Sequence, residues 1–284
     1  MIDCCRPYPA CSHFCRLDGH LLKGKGIIHN PNNGYKYEVL NVFAEGGMGV
    51  TYLVYNHQVN KLSVLKEINS QLSSQEKIRE LFQREARILK SLDNLGIPKF
   101  YDFFASDDHY SLIMEMIYGK SLDRITPSTE REAVGWMWEL AKILDYLHNL
   151  PQPIIHRDIK PSNLILRHNP KQIVLIDFGA VKEVTLKPGT RIASASFSSP
   201  EQKKGLSFIQ SDFYALGTTL IYLLTKKSPN CFRDAVTNRF TGLKDSGISA
   251  DLISIINLLT EYNPFDRPQS AIDVMDIFGQ FLEK

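Results

Sequence analysis

The chain is 284 residues long, 43% hydrophobic and 23% charged, with a formal net charge of +2. That apolar content excludes a mainly disordered chain, and the near-neutral charge balance gives no reason to expect nucleic acid or an anionic membrane as the main partner. No apolar run approaches the roughly 18 residues of a membrane span, and the N-terminus has cysteines and prolines where a secretory signal needs an unbroken apolar stretch, so the reading is cytoplasmic.

In chain order, residues 1–33 come first as a leader and linker without periodicity. Cys4, Cys5, Cys11 and Cys15 crowd into this segment, and only Cys231 lies elsewhere. A disulfide framework would spread through a small secreted chain, so the cluster is either a small metal site or a thiol-rich tail. His29 to Gly34 is dense in turn formers and reads as the linker.

Strands follow. Tyr35–Phe43 and Val50–Tyr55 flank Gly46-Gly47-Met48-Gly49, which predicts a hairpin with a glycine-rich turn. Leu62–Ile68 is a third strand. Ser73-Ser74-Gln75-Glu76 fits a capping box with Ser73 as the cap, and Ile78, Leu81, Phe82, Ile88, Leu89 and Leu92 then fall on one helical face. Phe100–Phe104 and Leu112–Met116 are two more strands.

After Gly119 the pattern turns mostly helical. Helices are expected at Glu130–Leu150 and near Gln210–Thr225, Ala250–Thr260 and Gln269–Phe281. Short apolar runs at Ile154-Ile155, Leu164–Leu166 and Ile173–Ile176 read as buried strand pieces. A strand-rich first part before a helix-rich second part predicts an α+β fold with two lobes, residues 34–117 and 118–284.

Two charges stand where apolar residues belong. Alternation puts Lys66 on one face with Leu62, Val64 and Ile68, and helical spacing puts Glu85 between Phe82 and Ile88. Burying either charge alone costs several kcal/mol or more, so the pattern predicts that they meet. Its plain rival is a snorkelling lysine and a glutamate at the edge of its stripe.

Downstream stand His156-Arg157-Asp158-Ile159-Lys160-Pro161-Ser162-Asn163 and Asp177-Phe178-Gly179, the latter directly after an apolar strand. Singly, each is an ordinary loop or turn. Together and in this order they resemble the catalytic loop and metal motif of protein kinases, specifically the bacterial, eukaryotic-like (Hanks-type) serine/threonine kinases. Lys66 and Glu85 then match the family's strand lysine and helix glutamate.

The resemblance implies a site for ATP between two lobes and magnesium, or manganese, as the metal. Asp158 would orient the attacking hydroxyl and accept its proton, Lys160 would add positive charge, and Asn163 and Asp177 would be hard oxygen ligands. Around the nucleotide it places Ala44, Gly46, Gly47, Gly49, Thr51, Val64, Met114 as gatekeeper, Glu115 to Ile117 as hinge, and Ile165. Leu89, Phe100, His156 and Phe178 match a stacked spine. Asp212 would anchor the catalytic loop, and Glu201 of Ser199-Pro200-Glu201 would pair with Arg267.

Some positions depart from the family pattern. Ala44 replaces the first loop glycine, Thr51 a valine, and Val64 an alanine, which narrows the adenine site. Ala193-Ser194-Ala195-Ser196-Phe197 replaces Gly-Thr-Pro-Gly-Tyr. Thr185, Thr190, Ser194, Ser196 and Ser198 are candidate phosphorylation sites, with Thr190 first. The leader resembles a degenerate zinc ribbon, in which Asp18 replaces a thiolate and four ligands would be drawn from Cys4 or Cys5, Cys11, Cys15, His13, Asp18 and His20. The expected partners are protein substrates, with neither nucleic acid nor a membrane span. Rival readings stay open: a pseudokinase acting as a nucleotide-binding or regulatory scaffold, a metal-dependent adaptor, and a small-molecule kinase of the same fold.

Overall fold

The computed structural model describes residues 26–46, 49–68, 75–106, 109–183, 196–234 and 236–284. Cys4, Cys5, Cys11, Cys15, Gly47, Thr185, Thr190 and Ser194 therefore lie outside the described residues. The described residues up to Leu92, together with Pro98–Met116, form one compact unit, and Asp93–Ile97 with Ile117–Lys284 form a second.

The first unit is an antiparallel sheet with one helix. Its strands are β1 (Ile27–His29), β2 (Lys36–Gly46), β3 (Gly49–Asn56), β4 (Lys61–Ile68), β5 (Phe100–Ser106) and β6 (His109–Glu115), in the spatial order β1-β2-β3-β4-β6-β5. Strands β2 and β3 pair antiparallel up to Gly46 opposite Gly49. A Cβ on Gly49 would lie 2.0 Å from the carbonyl oxygen of Glu67, so strand packing alone demands glycine there.

Three expectations are corrected in this unit. The run His29–Gly34 is the turn of a hairpin rather than a linker. Strand β1 pairs with β2, Ile27 opposite Glu38 and His29 opposite Lys36. Turn formers serve linkers and hairpin tips alike, and a three-residue strand carries no readable period. Second, the deeper face of β4 is Ser63, Leu65 and Glu67, while Val64 and Lys66 are only partly covered. The sheet curls around its own core of Tyr37, Val39, Tyr52, Val54, Leu65, Phe104 and Ile113. The alternation was legible, but which face met that core was not.

Third, helix α1 spans Glu76–Ser91, with Gln75 in the cap position and no side-chain cap bond. Glu76 is thus the first helical residue, where its charge suits the helix dipole, and not the third residue of a box begun by Ser73. Ser73 and Ser74 lie outside the described residues. The helix packs on β5 and β6 and buries Phe82, Glu85, Ala86, Ile88 and Leu89.

The second unit is helical with small sheets. It contains β7 (Gly119–Ser121), α2 (Glu130–His148), β8 (Ile154–Ile155), β9 (Leu164–Arg167), β10 (Gln172–Leu175), β11 (Lys182–Glu183), α3 (Pro200–Lys203), α4 (Ile209–Thr225), α5 (Ala250–Leu259) and α6 (Ala271–Glu283). Thr129 caps α2 by accepting from the Glu132 N–H, and Ser270 with Asp273 forms a capping box on α6. Helix α4 is buried on nearly every side, including the polar residues Gln210, Ser211, Asp212, Thr218 and Thr219. It packs against α2, α5 and β8. Strands β10-β9-β7 form one small sheet and β11-β8 another. Among the described residues no helix is long and apolar enough to cross a membrane.

Candidate active site

In the first unit the site begins with Lys66 on β4. Its Nζ lies 2.8 Å from Glu85 Oε1 and 3.1 Å from Oε2. Glu85 is only 4% exposed. Strand pairing gathers the neighbours: Thr51 lies opposite Lys66, Lys66 opposite Leu112, and Val64 opposite Met114. Ala44 lies opposite Thr51 across the glycine hairpin. Glu115 ends β6, its N–H donating to the Lys99 carbonyl at 2.8 Å and its Oε2 accepting from the Lys99 N–H at 3.2 Å.

In the second unit the loop from His156 to Asn163 hangs on Asp212 of α4. Asp212 Oδ2 accepts the His156 N–H at 2.9 Å, Oδ1 accepts the Arg157 N–H at 2.9 Å, and His148 Nε2 lies 3.0 Å from Oδ2. Arg157 sits at φ 67, a left-handed conformation that costs an arginine energy and needs such bonds to persist. Gln202 Nε2 donates to its carbonyl at 2.9 Å, and its own Nε donates to the Ala180 carbonyl at 2.6 Å. The His156 ring packs edge-on against Phe178 at 5.1 Å. Burial holds that imidazole below its ordinary range, so it is neutral at pH 7. It serves as an apolar spacer.

These bonds present three polar side chains together. Asp158 Oδ2 accepts from Lys160 Nζ at 2.8 Å and from Asn163 Nδ2 at 2.9 Å, and Nδ2 also reaches the Asp158 carbonyl at 2.9 Å. The Ile176 N–H donates to the Asn163 carbonyl at 2.9 Å, which ties the residue before Asp177 to this loop. Asp177 is also left-handed, at φ 66, and its Oδ1 accepts from the Gly179 N–H at 3.3 Å. Ile165 lies on β9 opposite Val174, with Ser121 on its other side.

Behind the loop, Arg267 holds Glu201 with two bonds of 2.7 and 3.0 Å, and Ser211 Oγ donates to the same carboxylate at 2.8 Å. Burial pushes the Glu201 carboxyl up, but the guanidinium outweighs it and the group ends below its ordinary range. Among the candidate phosphorylation sites that are described, Ser198 is buried, and Ser196 Oγ accepts from Ser228 Oγ at 3.0 Å and Asn230 Nδ2 at 3.1 Å. Sequence reasoning missed His148, Gln202 and Ser211 as supports of the loop. His148 did carry a signal, since it ends the interior stripe of Leu140, Leu144 and Leu147 on α2.

Asn163 and Asp177 offer hard oxygens suited to a magnesium ion shared with phosphates. Asn163 commits its Nδ2 to Asp158, which fixes the amide oxygen as the atom available to a cation. Among the described residues no cluster of three or more His, Cys, Asp and Glu side chains is arranged to hold a metal.

The sequence matches the protein kinase domain family over residues 37–277. It is 40% identical to serine/threonine-protein kinase D of Synechocystis, covering 83% of this chain and 50% of that protein. It is 32% identical to serine/threonine-protein kinase PknA of Nostoc, over 85% of this chain and 46% of that protein. It is 30% identical to the probable serine/threonine-protein kinase YbdM of Bacillus subtilis, over 70% of this chain and 72% of that protein. The chain spans about half the length of the cyanobacterial relatives it matches. With the strand lysine, the catalytic-loop cluster and the Glu201–Arg267 pair on a two-lobed α+β fold, the chain belongs to the protein kinase domain family, among its bacterial serine/threonine members.

Proposed function

We propose that the chain transfers the γ-phosphoryl group of ATP to serine and threonine hydroxyls of proteins, itself included. The observation that carries this reading is the Asp158–Lys160–Asn163 cluster, one carboxylate held by two donors on the same oxygen. Those two donors fix the orientation of the Asp158 carboxylate towards a substrate hydroxyl. Asp158 accepts the hydroxyl proton as the oxygen attacks phosphorus, the bond from phosphorus to the ADP oxygen breaks, and the phosphoryl group ends on the substrate. Lys160 adds positive charge beside the transferred group, and Lys66, steered by Glu85, serves the α- and β-phosphates. Asn163 and Asp177 are the residues that would hold magnesium, which supplies neutralising charge across the phosphate oxygens when bound. The reading places the reaction in the cytoplasm.

Transfer of labelled γ-phosphate to the chain and to a generic basic protein tests it, beside Asp158→Asn. Loss of a general base slows transfer by about 10²- to 10⁴-fold while nucleotide still binds. Equal transfer by the variant removes Asp158 from its role, and absence of transfer by the unaltered chain removes the reading.

The finer reading of residues 1–33 is a degenerate cysteine-rich leader before the kinase domain at 34–284. It rests on the thiol spacing alone. Metal analysis of the full chain, beside one with Cys4, Cys5, Cys11 and Cys15 changed to serine, decides between a zinc site and a reduced tail.

A further inference from the structure

The hairpin that precedes the family match is bound into the sheet at one carboxylate. Asp102 lies on β5, at one edge of the sheet, and β1 is the other edge. Asp102 Oδ2 accepts from the Tyr37 hydroxyl at 2.5 Å and from Asn30 Nδ2 at 2.7 Å. Its Oδ1 accepts the Phe103 N–H at 2.9 Å. Asn30, only 2% exposed, spends its other groups on its own turn: N–H to the Tyr35 carbonyl, carbonyl from the Gly34 N–H, Oδ1 from the Asn32 N–H. The turn after β1 and strand β2 are thus tied to the edge strand β5 through one side chain.

Asp102 also precedes Phe103, whose neighbours Phe82 and Leu112 stand next to Glu85 on the helix and Lys66 on the strand. The Phe103 ring packs on Phe82 at 5.9 Å, and Phe82 precedes Glu85 by one helical turn, on the same buried face. Phe103 is the register partner of Leu112, and Leu112 is in turn the register partner of Lys66. One strand irregularity falls between Phe100 and Asp102, opposite Met114 and Ile113, and such bulges re-aim the side chains beside them.

We infer that Asp102 is a positioning residue, coupling the N-terminal hairpin to Phe103 and so to the alignment of Glu85 with Lys66. The inference rests on the proposed kinase reading for its consequence, which is that residues ahead of the matched region set how firmly the phosphate-binding lysine is held. Whatever pulls on or shields the hairpin then acts on nucleotide affinity without touching the nucleotide. The physical warrant is a chain of direct contacts: Asn30 to Asp102, the next residue Phe103, then Phe82 on the helix and Leu112 on the strand.

The test uses the full chain with Asn30→Ala, which frees the hairpin but keeps the Tyr37 bond to Asp102. ATP binding is titrated, hydrogen exchange of the amides of residues 76–91 is followed, and both are repeated in a Lys66→Ala background. The expected result is binding weakened about three- to tenfold, faster exchange across Glu76–Ser91, and no further loss of binding by Asn30→Ala once Lys66 is gone. Asp102→Asn, which keeps one acceptor oxygen and replaces the other with an amide donor, gives a shift in the same direction and serves if Asn30→Ala fails to fold. Unchanged exchange in that helix overturns the coupling whether or not the chain binds ATP. A loss of binding that adds fully to that of Lys66→Ala overturns the route through the ion pair. A chain that binds no nucleotide overturns the kinase reading, and the exchange data still judge the coupling.

Discussion

Lys66 and Glu85, nineteen residues apart in sequence, meet at 2.8 Å, with the glutamate side chain almost wholly buried and the lysine side chain about a quarter exposed. The asymmetry gives the partners different jobs. Glu85 has no access to solvent that would tolerate its charge alone, so Lys66 neutralises it, and the exposed side of the ammonium is where a phosphate would be met. Glu85→Gln leaves the lysine charged but unsteered. The expected outcome is ATP binding weakened about tenfold with little loss of thermal stability, because a glutamine fits the same buried place. Lys66→Ala is expected to lower stability as well, by about 3 kcal/mol, since it takes the counter-charge from a buried carboxylate. Nucleotide titration and thermal unfolding of both variants check this.

Asn163 joins two roles in one amide, and two substitutions separate them. Its Nδ2 donates to Asp158 at 2.9 Å, and its oxygen is the proposed metal ligand. Asn163→Asp keeps a hard oxygen but removes the donor and sets a second negative charge beside Asp158. It should keep or tighten the magnesium requirement while transfer falls about a hundredfold. Asn163→Ala should lose both, with transfer low and half-activation moved to higher magnesium. Initial rates against magnesium concentration for the two variants measure the difference.

Much of this was legible in the sequence, and its limits are physical. The order of Lys66, Glu85, the His156–Asn163 loop and Asp177 carried the family, because the spacing of chemical groups survives even where surrounding residues change. Helices α2, α4, α5 and α6 were readable from their long apolar patterns. The hairpin strand β1 was not, because three residues are too few for a period and Asn30-Pro31-Asn32-Asn33-Gly34 describes any turn. The inward face of β4 was not, because alternation fixes two faces without saying which meets the core; the buried acid there is Glu67, satisfied by the Tyr52 hydroxyl at 3.3 Å and facing His109 at the same distance. The bonds from Asp212 to two loop N–H groups join residues more than fifty positions apart. No local pattern encodes those bonds.

Val64 lies opposite Met114 in the β4–β6 register, so two large side chains flank the proposed adenine site where the family pattern has one of them small. Val64→Ala removes two methyl groups from a partly covered position. ATP is expected to bind about threefold more tightly, a modest gain of the size that small changes in apolar pockets give. Titration of ATP against the variant and the unaltered chain measures it. Weaker binding would mean that valine packs against the nucleotide and does not crowd it.

Glu201 and Arg267 form an almost wholly buried ion pair, with side-chain exposures of 7% and 0%. The folded-state carboxyl lies below its ordinary 4.5. A depressed acid contributes stability that is fully present above its unfolded value and is lost as pH falls through the folded value. The unaltered chain should therefore lose stability below about pH 4.5 as this carboxylate takes up a proton. Glu201→Gln leaves Arg267 buried without its counter-charge and costs about 3–5 kcal/mol, a fall in melting temperature on the order of 10 °C. It also removes this carboxyl's share of the acid limb. Arg267→Met reverses the sign. Burial, the largest influence on Glu201, then acts without the guanidinium to offset it and raises the carboxyl, so that variant should regain stability as pH drops and the group becomes neutral. Melting temperatures of the three proteins between pH 4 and pH 8 follow the effect, and parallel curves for all three would show that the pair does not govern stability.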